Sequence, residues 1–286
     1  MAEAQANHEQ IRYWNEESGP RWVQQQKRLD VQLELLGLAA MQRAGVKPGE
    51  RVLDVGCGCG QTSLELAERV GPSGSVTSID ISQPMLARAR ERQHELGIKN
   101  LEFLRADAQT HSFERERFDL IFSRFGVMFF DDPQAAFDNL RTALRPDGRL
   151  CFICWQALEM NDWIRVPLRA ASQHVELPAP PAPGAPGPFA LADPERVRRI
   201  LTASGFQDVS FDAHEAKLSL GGAANVEEAV EFILEIGPVA TLLQKADAPV
   251  RARVVQAIRE ALTPYTSRDG VSLGGAAWIV LARPGR

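Results

Sequence analysis

Residues 51–63 read R-V-L-D-V-G-C-G-C-G-Q-T-S and constrain the fold more than any other stretch of the chain. A short apolar run (Val52, Leu53, Val55) carries Asp54 near its end, and Gly56, Gly58 and Gly60 follow at alternate positions. Thr62 and Ser63 then open a helical pattern of Leu64, Leu66, Ala67 and Val70. A buried strand, a glycine turn and a helix N-terminus in this order form the layout of a nucleotide-type ligand site. Glycine lets the backbone turn sharply and lets a ligand approach where a Cβ would stand.

The pattern continues in the same sense. Strands are predicted at 51–55, 75–80, 101–105, 118–123 and 149–155, and helices at 7–45, 61–70, 83–96 and 134–144. Leu144–Gly148 reads as a turn. Short loops between alternating elements argue for a parallel sheet covered on both faces, and right-handed crossovers make it doubly wound. Further on, a helix is predicted at 161–176 and a stiff loop at 177–190, which holds six prolines. Asp193-Pro194 signals a helix start. A strand at 209–220, two or three helices over 225–264 and a final strand at 276–282 complete the reading. The expected fold is α/β, a doubly wound, mostly parallel seven-stranded sheet. Its expected divisions are 1–45, an N-terminal helical lid; 46–156, the ligand-binding core; and 157–286, cap helices plus the last strands.

Composition narrows the function. A net charge of −5 gives no support for nucleic-acid binding through a basic surface, and none is expected. The polar start M-A-E-A-Q-A lacks a signal-peptide pattern, and no run of 18 apolar residues suggests a membrane span, so a cytoplasmic location is expected. Cys57 and Cys59 are spacers of the glycine turn, and Cys151 and Cys154 point to opposite faces of a strand. They read as small fillers, with no metal site.

The loops after the strands carry the candidate chemistry. A polar ligand group at the glycine turn meets free N–H groups and the positive end of the 61–70 helix. Asp80 ends the second predicted strand, twenty residues after Gly60. A carboxylate there can accept from two ribose hydroxyls. Ser82 and Pro84 start the next helix, with Met85 at hand, and the third strand leads to Asp107. The fourth delivers Ser123 and Arg124 to the carboxyl edge of the sheet.

V-L-D-V-G-C-G-C-G, S-I-D-I-S-Q-P-M-L, L-R-A-D-A, F-D-L-I-F-S and L-R-P-D-G-R-L, in that order, resemble the successive motifs of class I S-adenosylmethionine-dependent methyltransferases. More narrowly they are similar to the small-molecule branch that includes the ubiquinone/menaquinone-biosynthesis C-methyltransferases. The resemblance implies a Rossmann-like methyltransferase fold and S-adenosyl-L-methionine as cofactor. It implies Gly56, Cys57, Gly58, Gly60 and Thr62 around the methionine moiety, with Asp54 near its amino group. It implies Asp80 on the ribose, Ile81 and Met85 flanking the adenine, Asp107 and Ala108 at the adenine edge, and Ser123 closing the site. It also implies a lid over the cofactor anchored by Tyr13, Trp14 and Trp22. Arg124, Phe125 and Met128 are expected on the acceptor side.

Methyl transfer requires alignment more than acid–base help, because the sulfonium is already activated. A base is needed only where the acceptor must lose a proton. His8, His111, His174 and His214 are the candidates, His174 the first among them. The expected acceptor is a small, partly apolar molecule, C- or O-methylated, and roofed by helices carrying Val230, Ile233, Leu234, Ala240 and Leu243. The chain is expected to be a monomer or homodimer. Two alternatives stand beside this reading: a nicotinamide-dependent oxidoreductase on the same fold, and a cofactor-binding protein without catalysis. The first lacks the third glycine of G-x-G-x-x-G in register.

Overall fold

The computed structural model describes residues 7–285. Strands β1 (Arg51–Val55), β2 (Ser75–Asp80), β3 (Leu101–Arg105), β4 (Phe118–Arg124) and β5 (Leu144–Trp155) pair in parallel. After β6 (Phe206–Ser219) and the two-residue β7 (Thr266–Ser267), β8 (Gly270–Pro284) pairs antiparallel with both β5 and β6. The order across the sheet is β3-β2-β1-β4-β5-β8-β6, with β7 hooked onto the start of β8. The chain order reverses between β1 and β4, and there the carboxyl ends of the strands open a crevice.

The helices follow local signals. Gly60, at φ +84°, caps α4 (Gln61–Val70). The Asp132 side chain accepts from Ala135 N ahead of α6 (Pro133–Ala143), and Asp193 accepts from Glu195 N ahead of α8 (Pro194–Ala203). In both, proline occupies the first turn, where its missing N–H costs nothing. α5 (Gln83–Leu96) joins β2 to β3. The N-terminal stretch is broken into α1 (His8–Arg12), a π-helical turn (Tyr13–Glu17), α2 (Ser18–Gln24) and the long α3 (Gln26–Ala44). α3 lies on β4, β5 and β6, burying Leu33, Leu36, Ala40 and Met41 in the sheet's core. Residues three apart on β5 point to opposite faces, and Cys151 meets Ala40 of α3 while Cys154 meets Leu191. The sheet is thus covered on both sides.

A second core lies beside the first. α7 (Asp162–Ala171), α9 (Val226–Glu235), α10 (Pro238–Leu242) and α11 (Ala248–Leu262) bury Ala171, Val230, Val254, Ile258 and Leu262 among themselves, together with Leu273 of β8. Three expectations shift here. α7 stops at Ala171, so 172–176 are not helical. Leu144–Gly148, expected as a turn, opens β5 and meets β4 through a register shift. β8 begins six residues before the predicted 276. No helix among the described residues is long and apolar enough to cross a membrane.

Candidate functional site

A cavity of about 270 Å³ opens at the carboxyl end of β1, β2 and β4. Its floor is the glycine turn. Gly56 and Gly58 lie at φ +71° and +56°, where only glycine is unstrained. At Gly56 space is the stricter limit, since a Cβ would stand 2.6 Å from Gly126 Cα. Val55, Cys57, Cys59, Gln61 and Thr62 complete the floor. Gly60 faces away, toward Ala89 and Phe103, and does not line the cavity.

Asp54 lies under this floor with no exposed surface. Its Oδ2 accepts from the Thr62 and Ser63 hydroxyls, both at 2.7 Å, while its Oδ1 has no partner. Burial drives its carboxyl up to about 6, against the two hydroxyl bonds that favour the charged form. The aspartate therefore sets the first turn of α4 rather than reaching the cavity.

Asp80 does reach it. Its two oxygens each take one backbone N–H at 2.8 Å, Gly58 on one and Ser82 on the other. Burial raises its carboxyl, and those backbone donors oppose the rise. A carboxylate has about four acceptor positions, so two remain. Ile81 and Met85 flank it in the cavity wall, and Asp107 and Ala108 stand at the next strand end. Asp107 accepts from Asn7 Nδ2 at 2.7 Å and from Gln109 N at 2.9 Å.

The N-terminal segment closes the top. Tyr13, Trp14 and Trp22 all line the cavity, and Trp14 meets Tyr13, Trp22 and Phe129 edge to face, at centroid distances of 5.5, 5.6 and 5.1 Å. Polar staples fix the segment to the strand ends. Ser82 Oγ donates to Trp14 O, Gln83 N donates to Asn15 Oδ1, and Asn15 Nδ2 donates to Ile81 O. Asn7 bridges Asp107 and the Asp131 N–H.

The far wall holds Arg124, Phe125 and Met128. Ser123 falls outside it. Its buried hydroxyl donates to Val55 O and accepts from Gly126 N, tying β1 to the turn after β4. His174 is likewise off the cavity, in the turn after α7, where its backbone N–H closes onto Ala171 O. No histidine lines the cavity among the described residues. Val230, Ile233 and Leu243 belong to the second core, and Ala240 is buried off the cavity; the cap helices reach the cavity through Trp163 and Ile164 of α7 and through Ile236, Gly237 and Pro238. Each predicted residue is apolar and at helical spacing, which is how a helix packs on its neighbours too.

Sequence reasoning missed Asn7, Gln26, Asp30, Gln61, Trp155, Trp163 and Ile164 as cavity residues. Gln61 was the one with a signal, as the first residue of the helix after the glycine turn. The thiols are inert fillers: burial pushes Cys59 and Cys151 up to about 12, and Cys57 well above its ordinary value.

Residues 46–174 match the family described as "Methyltransferase domain". The chain is similar to aklanonic acid methyltransferase DauC of Streptomyces sp. strain C5, at 38% identity over 104 residues, 36% of this chain and 47% of that protein. It is similar to nocamycin O-methyltransferase of Saccharothrix syringae, at 32% identity over 178 residues, 59% of this chain and 63% of that protein. The chain thus spans about half the length of the curated relatives it matches. Among solved structures, Haemonchus contortus phosphoethanolamine N-methyltransferase 2, in complex with phosphomonomethylethanolamine and S-adenosylhomocysteine, superposes with a TM-score of 0.53 at 21% identity. The superposition covers 88% of this chain and 52% of that one, and it shows a shared fold.

Proposed function

We propose that this chain is an S-adenosylmethionine-dependent methyltransferase acting on a small, partly apolar molecule. The methyltransferase-domain match over residues 46–174 supports the reaction class. The observation that carries the site is Asp80. Its carboxylate is pinned by two backbone N–H groups beside a glycine floor, and its remaining acceptor positions are free for two neighbouring hydroxyls.

The assignments follow from that anchor. Ribose sits on Asp80, and adenine lies between Ile81 and Met85 with its edge toward Asp107 and Ala108. The methionine portion runs over Gly56, Cys57 and Gly58 toward Thr62. Asp54 acts through Thr62 and Ser63 by fixing the start of α4. The lid is the short segment from Asn7 to Gln24, since α3 belongs to the sheet's cover. Tyr13, Trp14 and Trp22 exclude water from above. The acceptor enters on the side of Arg124, Phe125 and Met128, which places the methyl carbon between sheet edge and cap.

Calorimetric titration with S-adenosylhomocysteine and NAD tests the cofactor. S-adenosylhomocysteine should bind and NAD should not. Tritiated methyl groups from S-adenosylmethionine should then appear in a small-molecule extract. Binding of NAD alone, or label found only in macromolecules, overturns the reading.

A further inference from the structure

Arg124 stands out in the cavity wall. Among the described residues it is the single cationic side chain there. Its guanidinium donates to Gln61 Oε1 at 2.6 Å and to Leu33 O at 3.4 Å, and it makes no ion pair within 4.0 Å among the described residues. Asp30, the nearest acid in the wall, is engaged by Arg92 at 2.9 Å and by Gln26. Its two hydrogen-bond acceptors are neutral, and Asp30, Glu65 and Asp54 act on its charge only from beyond ion-pair distance, so further N–H donors remain for a ligand. The fold goes out of its way to seat it. Gly37, in the middle of α3, stands where a Cβ would come 3.2 Å from Arg124 Cδ. Glycine is a poor helix former, so its presence at this position marks the close approach of Arg124.

The same cavity is lined by stacked aromatic rings. Phe125 stacks on Trp155 at 4.2 Å and 12°, and Trp155 leans on Trp163 at 4.9 Å. Phe125 is held at φ +63°, a conformation that a bulky residue adopts only under constraint. Among the described residues no histidine lines the cavity, and each acid there is already engaged. Asp30 is ion-paired; Asp80 and Asp107 have each oxygen bonded to a donor; Cys57 and Cys59 are thiols.

Resting on the methyltransferase reading, we infer that the acceptor is a planar organic acid bound as its anion, its charged oxygen on Arg124 and its flat body against Phe125 and Trp155. No base is then required. The anionic oxygen attacks the sulfonium methyl carbon, an O–C bond forms, and the S–C bond breaks with its electron pair going to sulfur. The products are a neutral methyl ester or ether and the neutral thioether, with no proton to move. The cofactor's own α-carboxylate has the same chemistry, so the test must separate the two sources.

The full chain saturated with S-adenosylhomocysteine is titrated with 1-naphthoate and with 1-naphthamide, a neutral analogue of nearly the same shape, by calorimetry and by Trp155/Trp163 fluorescence. Naphthoate should bind at least tenfold more tightly. Arg124→Gln should erase that preference and leave S-adenosylhomocysteine affinity within threefold. Arg124→Lys, which keeps the charge, should retain part of the preference and covers the case in which the glutamine variant fails to fold. Equal binding of acid and amide, or no binding of either at 10 mM, overturns the proposal. So does a glutamine variant that loses S-adenosylhomocysteine tenfold while keeping the acid preference, which assigns Arg124 to the cofactor. A wild-type chain that ignores S-adenosylhomocysteine removes the methyltransferase reading and this proposal together. One that binds it but not the acid removes the proposal alone.

Discussion

The floor and the cap of the cavity are built on different principles. The floor, Val55–Thr62, is shaped by backbone: positive φ angles, the Gly58 N–H on Asp80, and a Gly56–Gly126 approach that admits no side chain. The cap is shaped by side chains. α7, α9, α10 and α11 share a core of their own and send only a few residues into the cavity. Backbone geometry tolerates few sequences, whereas a packed core accepts many if volume and pattern are kept. One region is therefore specific for its ligand by construction, and the other is free to vary in what it admits.

The strongest test of that contrast is Gly56→Val. A Cβ there meets main-chain carbon at 2.6 Å, so β1 and the turn after β4 must separate. S-adenosylhomocysteine binding should fall more than 100-fold, with a lowered melting temperature. An affinity within threefold of wild type breaks the comparison. Asp80→Ala comes next. It removes the acceptor for two hydroxyls and leaves the Gly58 and Ser82 N–H groups without partners, a loss of about 2–4 kcal/mol in binding. Calorimetry on the refolded variant reads it directly.

Asp54 sharpens the comparison through pH. Its folded value, about 6, lies above the ordinary 3.8, so the folded chain holds a proton that the unfolded chain releases. The associated stability is complete below about pH 4 and is lost as pH rises through 6. Asp54→Asn carries no such charge. Its stability relative to wild type should improve by about 1.4 kcal/mol between pH 5 and pH 8. Parallel urea curves for the two proteins would refute the burial argument.

Trp14→Ala should weaken S-adenosylhomocysteine roughly tenfold by opening the lid, with raised amide exchange over residues 10–24 as the readout. The smallest effect belongs to the cap. Ile236→Trp fills the cavity from the side opposite the floor and should change cofactor affinity less than twofold, while weakening naphthoate. A large cofactor effect would mean that floor and cap are one unit.

The same contrast explains what was legible in the sequence. Gly56, Gly58, Asp80 and Asp107 were readable because strand ends, turns and glycines leave a local signature. The Asp132-Pro133 and Asp193-Pro194 helix starts were readable for the same reason. The resemblance implied Asp54 and Ser123 at the cavity, and their strand-end places agree with that, yet each side chain bonds backbone or α4 hydroxyls instead, since position along a strand fixes a residue's height and not what its side chain meets. The cap residues failed at a different step. Helical spacing of Val230, Ile233 and Leu234 showed an apolar face and could not show which surface it meets. Asn7 carries no local pattern, and Trp155 carries only its place at the end of the strand expected at 149–155; both become cavity residues when distant segments converge.

The placement of β8 has a consequence for how the chain is made. β8 sits between β5 and β6, so the edge of β5 at Trp155 waits for residues from 270 onward. At 5–20 residues per second, that wait lasts roughly 6–23 s on a translating ribosome. During it, the almost wholly apolar run Leu150–Trp155 presents open hydrogen-bonding groups, a template for pairing with a neighbouring nascent chain. Synthesis speed through residues 156–270, and the chaperones that meet them, should decide the yield of folded protein more than the stability of the finished sheet.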